Sequence, residues 1–203
     1  VLTFFPGDAS HFSGVALLPD GKIMAVGSYI SNYDTGDYEF LVVRYNKDAS
    51  LDTTFDTDGW LTTRFTAGYD AATCILALAE GGIVVAGNQY VSQGFSSDFA
   101  LAKYNTDGSL DSTFGVDGKV TTDFFFFSDS CSSIALQSNG KIVLVGSSDQ
   151  QFALSRYNAD GTLDKTFHED GMVTTRFGQY ASAVGAAIQP DGKIIAAGYS
   201  NGY

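Results

Sequence analysis

Along the chain, short runs rich in Val, Ile, Leu, Phe and Tyr alternate with polar positions, and Gly and Asp turn signals separate them. Runs of this length with period-two alternation predict strands rather than helices. They also recur in a fixed order. FLVVRYN at 40–46 returns as FALAKYN at 99–105 and FALSRYN at 152–158, at spacings of 59 and 53 residues. LDTTF at 51–55 returns at 110–114 and 163–167, and LTTRF at 61–65 returns as VTTDF at 120–124 and VTTRF at 173–177. VLTFF at 1–5 fits this last block, and PDGKI at 19–23 has counterparts ending at Ile83, Ile142 and Ile194.

Each unit contains four runs, A to D, which in the first unit fall at 13–18, 22–28, 40–46 and 60–65. Their composition and turn signals predict an antiparallel meander, with a tight Asp-Gly-Lys hairpin between A and B in which Gly takes positive φ. A four-stranded unit repeated in tandem predicts an all-β fold of β-propeller blades, since β-solenoid coils are shorter. The expected organisation is a single partial-ring domain over 1–203, of about four blades with the last incomplete. Its units lie at about 1–5 (run D alone), 6–65, 66–124, 125–177 and 178–203 (A and B only). The open edge of the last unit is a pairing liability. We therefore expect a piece of a longer propeller or a chain that completes its ring by association.

The stretch from Phe152 to Phe167, continued by Asp170, Gly171, VTTRF and the 189–194 hairpin, resembles the delta-60 repeat family, tandem bacterial repeats of propeller type. The strand order is more distantly similar to NHL propellers. The resemblance covers essentially the whole chain. It implies the fold and an extracellular or cell-surface bacterial setting, and supplies no catalytic residues.

Composition agrees with this architecture and narrows the function. The chain has 203 residues, is 44% hydrophobic and carries 23 Gly, and its acidic residues are almost all Asp, the turn-forming acid. The formal net charge of -12, with only 11 Lys and Arg, opposes binding to nucleic acid or an anionic membrane. No apolar stretch reaches the ~20 residues of a membrane helix.

A residue repeated in every blade is most simply explained by packing or turn geometry, so a localised site should appear as a departure from the repeat. Tyr45, Tyr104 and Tyr157, with Phe55, Phe114 and Phe167, are expected between blades. Arg44, Lys103 and Arg156 are expected to pair with Asp52, Asp111 and Asp164. Departures concentrate on one rim. The B–C connection spans 29–39 and 88–98 in two blades but 148–151 in the third, and the D–A connections differ at 6–12, 66–71, 125–130 and 178–181. Variable loops on a rigid scaffold are where binding is usually built. These loops carry Tyr29, Tyr33, Tyr38, Tyr69, Tyr90, Phe95, Tyr180 and the run from Phe124 to Phe127, of which 125–127 are expected to be buried. Tyr29, Tyr33, Asp34, Tyr90 and Gln93 are the candidate ligand contacts.

Other chemistry is sparse. The sets Asn105, Asp107, Asp111 and Asn158, Asp160, Asp164 resemble calcium-loop spacing, but a cation (Lys103 or Arg156) stands where such a loop brings an acid, which favours Asx turns over calcium. Cys74 and Cys131, on neighbouring A runs at unequal levels, are expected as buried thiols. His11 and His168 fall on opposite rims, so no nucleophile-histidine arrangement and no transition-metal cluster can be built economically. The reading is a non-enzymatic, exported module that binds a protein or glycan through its variable rim, without cofactor or membrane insertion. The alternatives are a structural unit that oligomerises through its open blade, and a hydrolase or lyase using carboxylates in the central depression.

Overall fold

A computed structural model describes residues 10–90, 96–125 and 128–201, and every regular element among them is a β-strand. The first blade is β1 (Ser10–Leu17), β2 (Ile23–Asn32), β3 (Asp37–Tyr45) and β4 (Trp60–Thr63). The second is β5 (Asp70–Ala77), β6 (Ile83–Tyr90), β7 (Ser97–Tyr104) and β8 (Lys119–Thr122). The third is β9 (Asp129–Leu136), β10 (Ile142–Ser148), β11 (Gln151–Tyr157) and β12 (Met172–Thr175), and β13 (Tyr180–Ile188) with β14 (Ile194–Asn201) forms a two-stranded sheet. Strands pair in sequence order, antiparallel throughout, as the meander predicts. The A strands β1, β5, β9 and β13 pack side by side in succession, and among the described residues the sheets do not close into a ring. VLTFF at 1–5 lies outside the described residues.

Three cores join successive sheets, the last packing Val143, Val145 and Phe152 of the third blade against Ala181 and Ala183. Met24, Val26, Phe40, Val42 and Phe55 of the first blade pack against Ala72, Val85 and Tyr104 of the second. Leu101, Phe114 and Phe124 of the second pack against Leu144 and Tyr157 of the third. The repeated tyrosines also close a polar contact, Tyr157 Oη donating to Thr122 Oγ1 at 2.8 Å. Tyr45 and Phe167 are only half-buried, because they belong to the outward sides of the first and third blades, where less covers them.

The expected cation-carboxylate pairs are present in all three C–D connections. Arg44 Nε reaches Asp52 at 2.6 Å, Lys103 Nζ reaches Asp111 at 3.0 Å and Arg156 Nε reaches Asp164 at 2.7 Å. Lys22 and Lys141 of the A–B hairpins add a second cation to Asp52 and Asp164. Burial opposes ionisation of Asp52, but Lys22, Thr54 and Arg44 outweigh it and hold its pKa well below the usual range.

A β-bulge breaks the A–B register at one station in every sheet: between Phe12 and Gly14, Ala72 and Cys74, Cys131 and Ser133, and Ala183 and Gly185. Opposite it stand Gly27, Gly87, Gly146 and Gly198, where an added Cβ would lie 1.8–2.0 Å from a carbonyl oxygen of the A strand. Only glycine fits this approach. The bulge extends each A strand to the rim, so β1 begins at Ser10 rather than residue 13. Run D is shorter than expected: β4 ends at Thr63, because Asp70 Oδ2 accepts the Phe65 amide at 2.7 Å and turns the chain.

Candidate functional site

The B–C hairpins and the D–A connections emerge on one rim, the end at which β2 and β4 finish and β3 and β5 begin. In the first blade most of 29–39 is strand rather than loop. Tyr29 pairs with Glu39, Ile30 with Tyr38 and Asn32 with Asp37, so the hairpin stands above the blade with its turn at 33–36. Asn32 Oδ1 accepts the Asp34 amide at 2.9 Å, and Gly36 closes the turn at φ 69°. Tyr33 and Asp34 are exposed at this tip. Tyr29 instead lies along the blade, its ring 5.7 Å from that of Trp60. The third blade turns with two residues, Asp149 and Gln150, at φ 44° and 62°, the geometry of a short hairpin whose twist matches its strands.

Between the first two blades the D–A connection is pinned from both sides. Tyr38 donates its amide to the Gly68 carbonyl at 2.8 Å, Tyr90 donates to the Tyr69 carbonyl at 3.0 Å, and Thr66 Oγ1 donates to the Tyr90 carbonyl at 3.0 Å. Tyr38, Tyr69 and Tyr90 consequently form a ladder across the junction, with ring centroids 4.4 and 5.1 Å apart. Burial, with Tyr38 and Tyr90 alongside, pushes the Tyr69 hydroxyl pKa up, while the Ser28 hydroxyl pulls it down. The Tyr69 hydroxyl at the centre of the ladder is therefore neutral. Tyr90, at its end, is exposed.

Of the five candidate contacts, the structure places Tyr33 and Asp34 together and Tyr90 in the ladder, whereas Tyr29 packs against Trp60. Gln93 lies outside the described residues. Phe125 corrects an expectation of burial: the Asp129 carboxylate accepts the Phe124 amide at 2.8 Å, Phe124 is buried, and Phe125 turns outward at φ 65°. Phe126 and Phe127 lie outside the described residues. Beside the ladder, a recess of about 620 Å³ is lined by Phe65, Thr66, Gln89, Val116, Lys119 and Thr121 among others. Among the described residues, no carboxylate or histidine lines it.

At the next junction the same rim carries an acidic cluster. One carboxylate oxygen from each of Asp98, Asp123 and Asp129 lies within 4.8 Å of the other two. Burial pushes the Asp129 carboxyl up to about 6; the Ser148 hydroxyl and the Phe124 amide pull it down, and Asp123 and Asp98 push it up further. Asp98 is raised by burial and by Asp123. Asp70, the counterpart of Asp129 at the first junction, is also pushed up to about 6 by burial, opposed by the Phe65 and Thr66 amides and by Arg64. Sequence reasoning missed this cluster, although VTTDF at 120–124 against LTTRF and VTTRF holds the signal: one Asp where the other two blades carry Arg.

The remaining candidates lie elsewhere. Asp107 and Asp160 accept the amide and hydroxyl of Ser109 and Thr162, as Asx turns do. Asn105 and Asn158 donate to those hydroxyls. Asp111 and Asp164 accept from Thr113 and Thr166 besides their cations. Cys74 and Cys131 are free thiols, and the contact with Cys74 together with burial pushes the Cys131 thiol up. His11 Nδ1 lies 3.0 Å from Ser28 Oγ, while His168 sits 3.9 Å from Asp170 in the third blade.

No curated protein matches the chain. Among solved structures it is similar to selenomethionine-substituted virginiamycin B lyase from Staphylococcus aureus, with 11% identity and a TM-score of 0.41 over 91% of this chain. It spans about half, 54%, of that protein's length. The sequence matches the family described as a domain of unknown function (DUF5122) beta-propeller over residues 18–55, 80–114, 137–167 and 189–203. These segments hold the A–B hairpins and, in three blades, the C strands and C–D turns that define the repeat. Matched over more than half of its length, the chain belongs to the DUF5122 β-propeller family.

Proposed function

We propose that the chain is a non-enzymatic, exported β-propeller module that binds a protein or glycan through its hairpin-bearing rim. The observation that carries this reading is the Tyr38–Tyr69–Tyr90 ladder, held by backbone hydrogen bonds from two blades and ending at an exposed ring. A pre-ordered row of tyrosine rings offers stacking faces and hydroxyl hydrogen bonds at little cost in side-chain entropy. The exposed Tyr33 and Asp34 share the rim, and the recess beside Gln89 offers an apolar wall. The resemblance to delta-60 repeats supports an extracellular or cell-surface bacterial setting.

A hydrolase or lyase would need a carboxylate pair open to the central depression. Asp70 and Asp129, the inner-strand carboxylates with raised pKa, are both buried within the junctions rather than open to the depression, which supports binding over catalysis. A second reading, assembly through the terminal sheets, is favoured by one observation: Val15 and Leu17 on β1 and Val184, Ile195 and Tyr199 on the last sheet are large exposed apolar side chains.

The test is binding of the full chain to a glycan array and to immobilised extracellular-matrix proteins, repeated with the Tyr33→Ala/Tyr90→Ala double variant. A loss of at least about tenfold in affinity for a ligand found with the native chain supports the rim. Unchanged affinity overturns this placement. Sedimentation equilibrium on the same samples reads the assembly reading directly.

A further inference from the structure

We propose that Asp98, Asp123 and Asp129 bind a hard divalent cation, calcium, at the junction of the second and third blades. The inference stands independently of the ligand-binding reading. It begins with how the repeat treats the equivalent stations elsewhere. The residue before the conserved Phe of the C strand is Glu39, Asp98 or Gln151, and the residue after the paired D strand is Arg64, Asp123 or Arg176. The inner-strand residue that precedes the bulge carbonyl facing Gly87, Gly146 or Gly198 is Asp70, Asp129 or Ala181.

At the first junction the cation is supplied by the chain. Arg64 reaches Asp37 at 2.7 Å and Glu39 at 3.4 Å, and its charge favours the ionised form of Asp70. The third junction pairs Arg176 with Gln151 and Ala181, so no acid stands at either of those two stations. At the second junction alone all three stations are aspartate. Asp98 and Asp123 then stand as like charges where Glu39 and Arg64 attract, an arrangement that destabilises a strand pair.

The second observation comes from the buried member. Asp129 is fully buried; its Oδ2 accepts the Phe124 amide, the nearby Ser148 hydroxyl donates to the Phe124 carbonyl at 3.3 Å, and Asp129 Oδ1 has no hydrogen-bond partner. A carboxylate oxygen left dry and unpaired costs more than one that faces water, unless a cation meets it. The oxygen of Asp70 is likewise unpartnered, but the Arg64 charge lies within reach of that site. A cation from solution would do at the second junction what the guanidinium does at the first.

The donors select the cation. Three carboxylates with no imidazole or thiolate among them suit hard ions, and calcium, which accepts irregular shells of six to eight oxygens, suits donors contributed by two strand ends and a connection. Magnesium, which demands a near-regular octahedron, is the competing ion in the test.

The experiment uses the full chain after EDTA treatment and dialysis, titrated with calcium chloride or magnesium chloride by isothermal calorimetry and by thermal melting near neutral pH. The expected result is one calcium per chain with Kd on the order of 10⁻⁴ to 10⁻³ M. Tm should rise by roughly 3–5 °C at tenfold excess over Kd and return on adding EDTA. Asp123→Arg should fold, since Arg occupies this station in both neighbouring blades, and should lose the calcium response. Asp98→Asn, nearly isosteric, should weaken calcium at least tenfold and serves if the arginine variant fails to fold. The proposal is overturned if the native chain shows no calcium heat and no Tm shift up to about 10 mM, the result expected if the cluster is relieved by a shared proton only. It is equally overturned if magnesium binds and calcium does not, or if both variants keep the native calcium affinity.

Discussion

The Tyr104 hydroxyl of the second blade donates to Thr63 Oγ1 of the first at 2.7 Å, and both groups are buried. The bond ties the end of one C strand to the D strand of the preceding blade, and Tyr157 repeats it with Thr122 one blade later. Burial pushes the Tyr104 hydroxyl well above the usual tyrosine range, against the Thr63 contact, so it is a neutral donor near neutral pH. Tyr104→Phe should cost about 1 kcal/mol in urea denaturation, the net value of a buried neutral hydrogen bond. Tyr104→Ala should cost about 3–5 kcal/mol by emptying the aromatic site between blades. Equal stability of the Phe variant and the native chain would show that the bond is not a clasp.

The depressed carboxylates of the C–D turns set the acid limit of the fold. The Thr113 hydroxyl and Lys103 lower Asp111 to about 2 from 3.8, and Lys141, Thr166 and Arg156 hold Asp164 lower still against its burial. A carboxyl whose folded pKa is depressed contributes stability above its unfolded pKa and loses it as pH falls through the folded one. Melting temperature should therefore fall steeply below pH 3.8. Asp111→Asn should lower Tm by roughly 2–4 °C at neutral pH and by much less near pH 2, where the native carboxyl is itself half protonated. An unaltered Tm at neutral pH would remove this ion pair from the account of stability.

Asp70 works in the opposite sense. Its folded pKa of about 6 lies above 3.8, so the folded state holds the proton more tightly than the unfolded chain and stability falls as pH rises between those values. The groups facing it are Arg64, Glu39 and the Phe65 and Thr66 amides. The shift is worth up to about 3 kcal/mol across that window, and Asp70→Asn should flatten the slope by that amount in denaturation measured at intervals from pH 4 to 7. An undiminished slope would mean that water reaches the carboxylate.

The bulge glycines should be among the least replaceable residues. Gly87→Ala places a methyl 2.0 Å from the Ala71 carbonyl oxygen and should cost on the order of 3 kcal/mol through forced strand separation. Gly185→Ala, with nothing within 4 Å of its added Cβ, should lie within about 0.5 kcal/mol of the native chain. Chemical denaturation of the pair reads the contrast, and similar costs for both would place the constraint in glycine's backbone freedom rather than in the close approach.

Much of this architecture was legible in the chain because the repeat compares the protein with itself. The four runs, the Asp-Gly hairpins and the pairing of Arg44 with Asp52 follow from residues that recur at fixed stations. The residues that depart from the repeat were harder to interpret. Hairpin 29–39 reads as loop in sequence because its Asn, Asp and Gly content suggests turns, yet its ladder continues to Asn32 and Asp37. The bulges are invisible to a period-two pattern, which assumes that every residue has a partner, so β1 starts at Ser10, ahead of the run that the pattern marks. The tyrosine ladder needed a D–A connection that passes between two blades, and Asp98, Asp123 and Asp129 were lost among many turn-forming aspartates.

The bulge gives the blade two storeys. Inserting one residue part-way along each inner strand switches the side shown to the neighbouring blade, so the portion near the A–B hairpin and the portion near the rim answer to different rules. Below, Ile75, Ile134 and Ala186 stand at one station and pack into the core of their respective junctions. Above, the first junction holds tyrosines, the second carboxylates and the third Ala181. Chemistry on this rim can thus be exchanged one junction at a time, like tools on a turret, and grafting the 120–129 segment of one junction onto another is the natural unit of redesign.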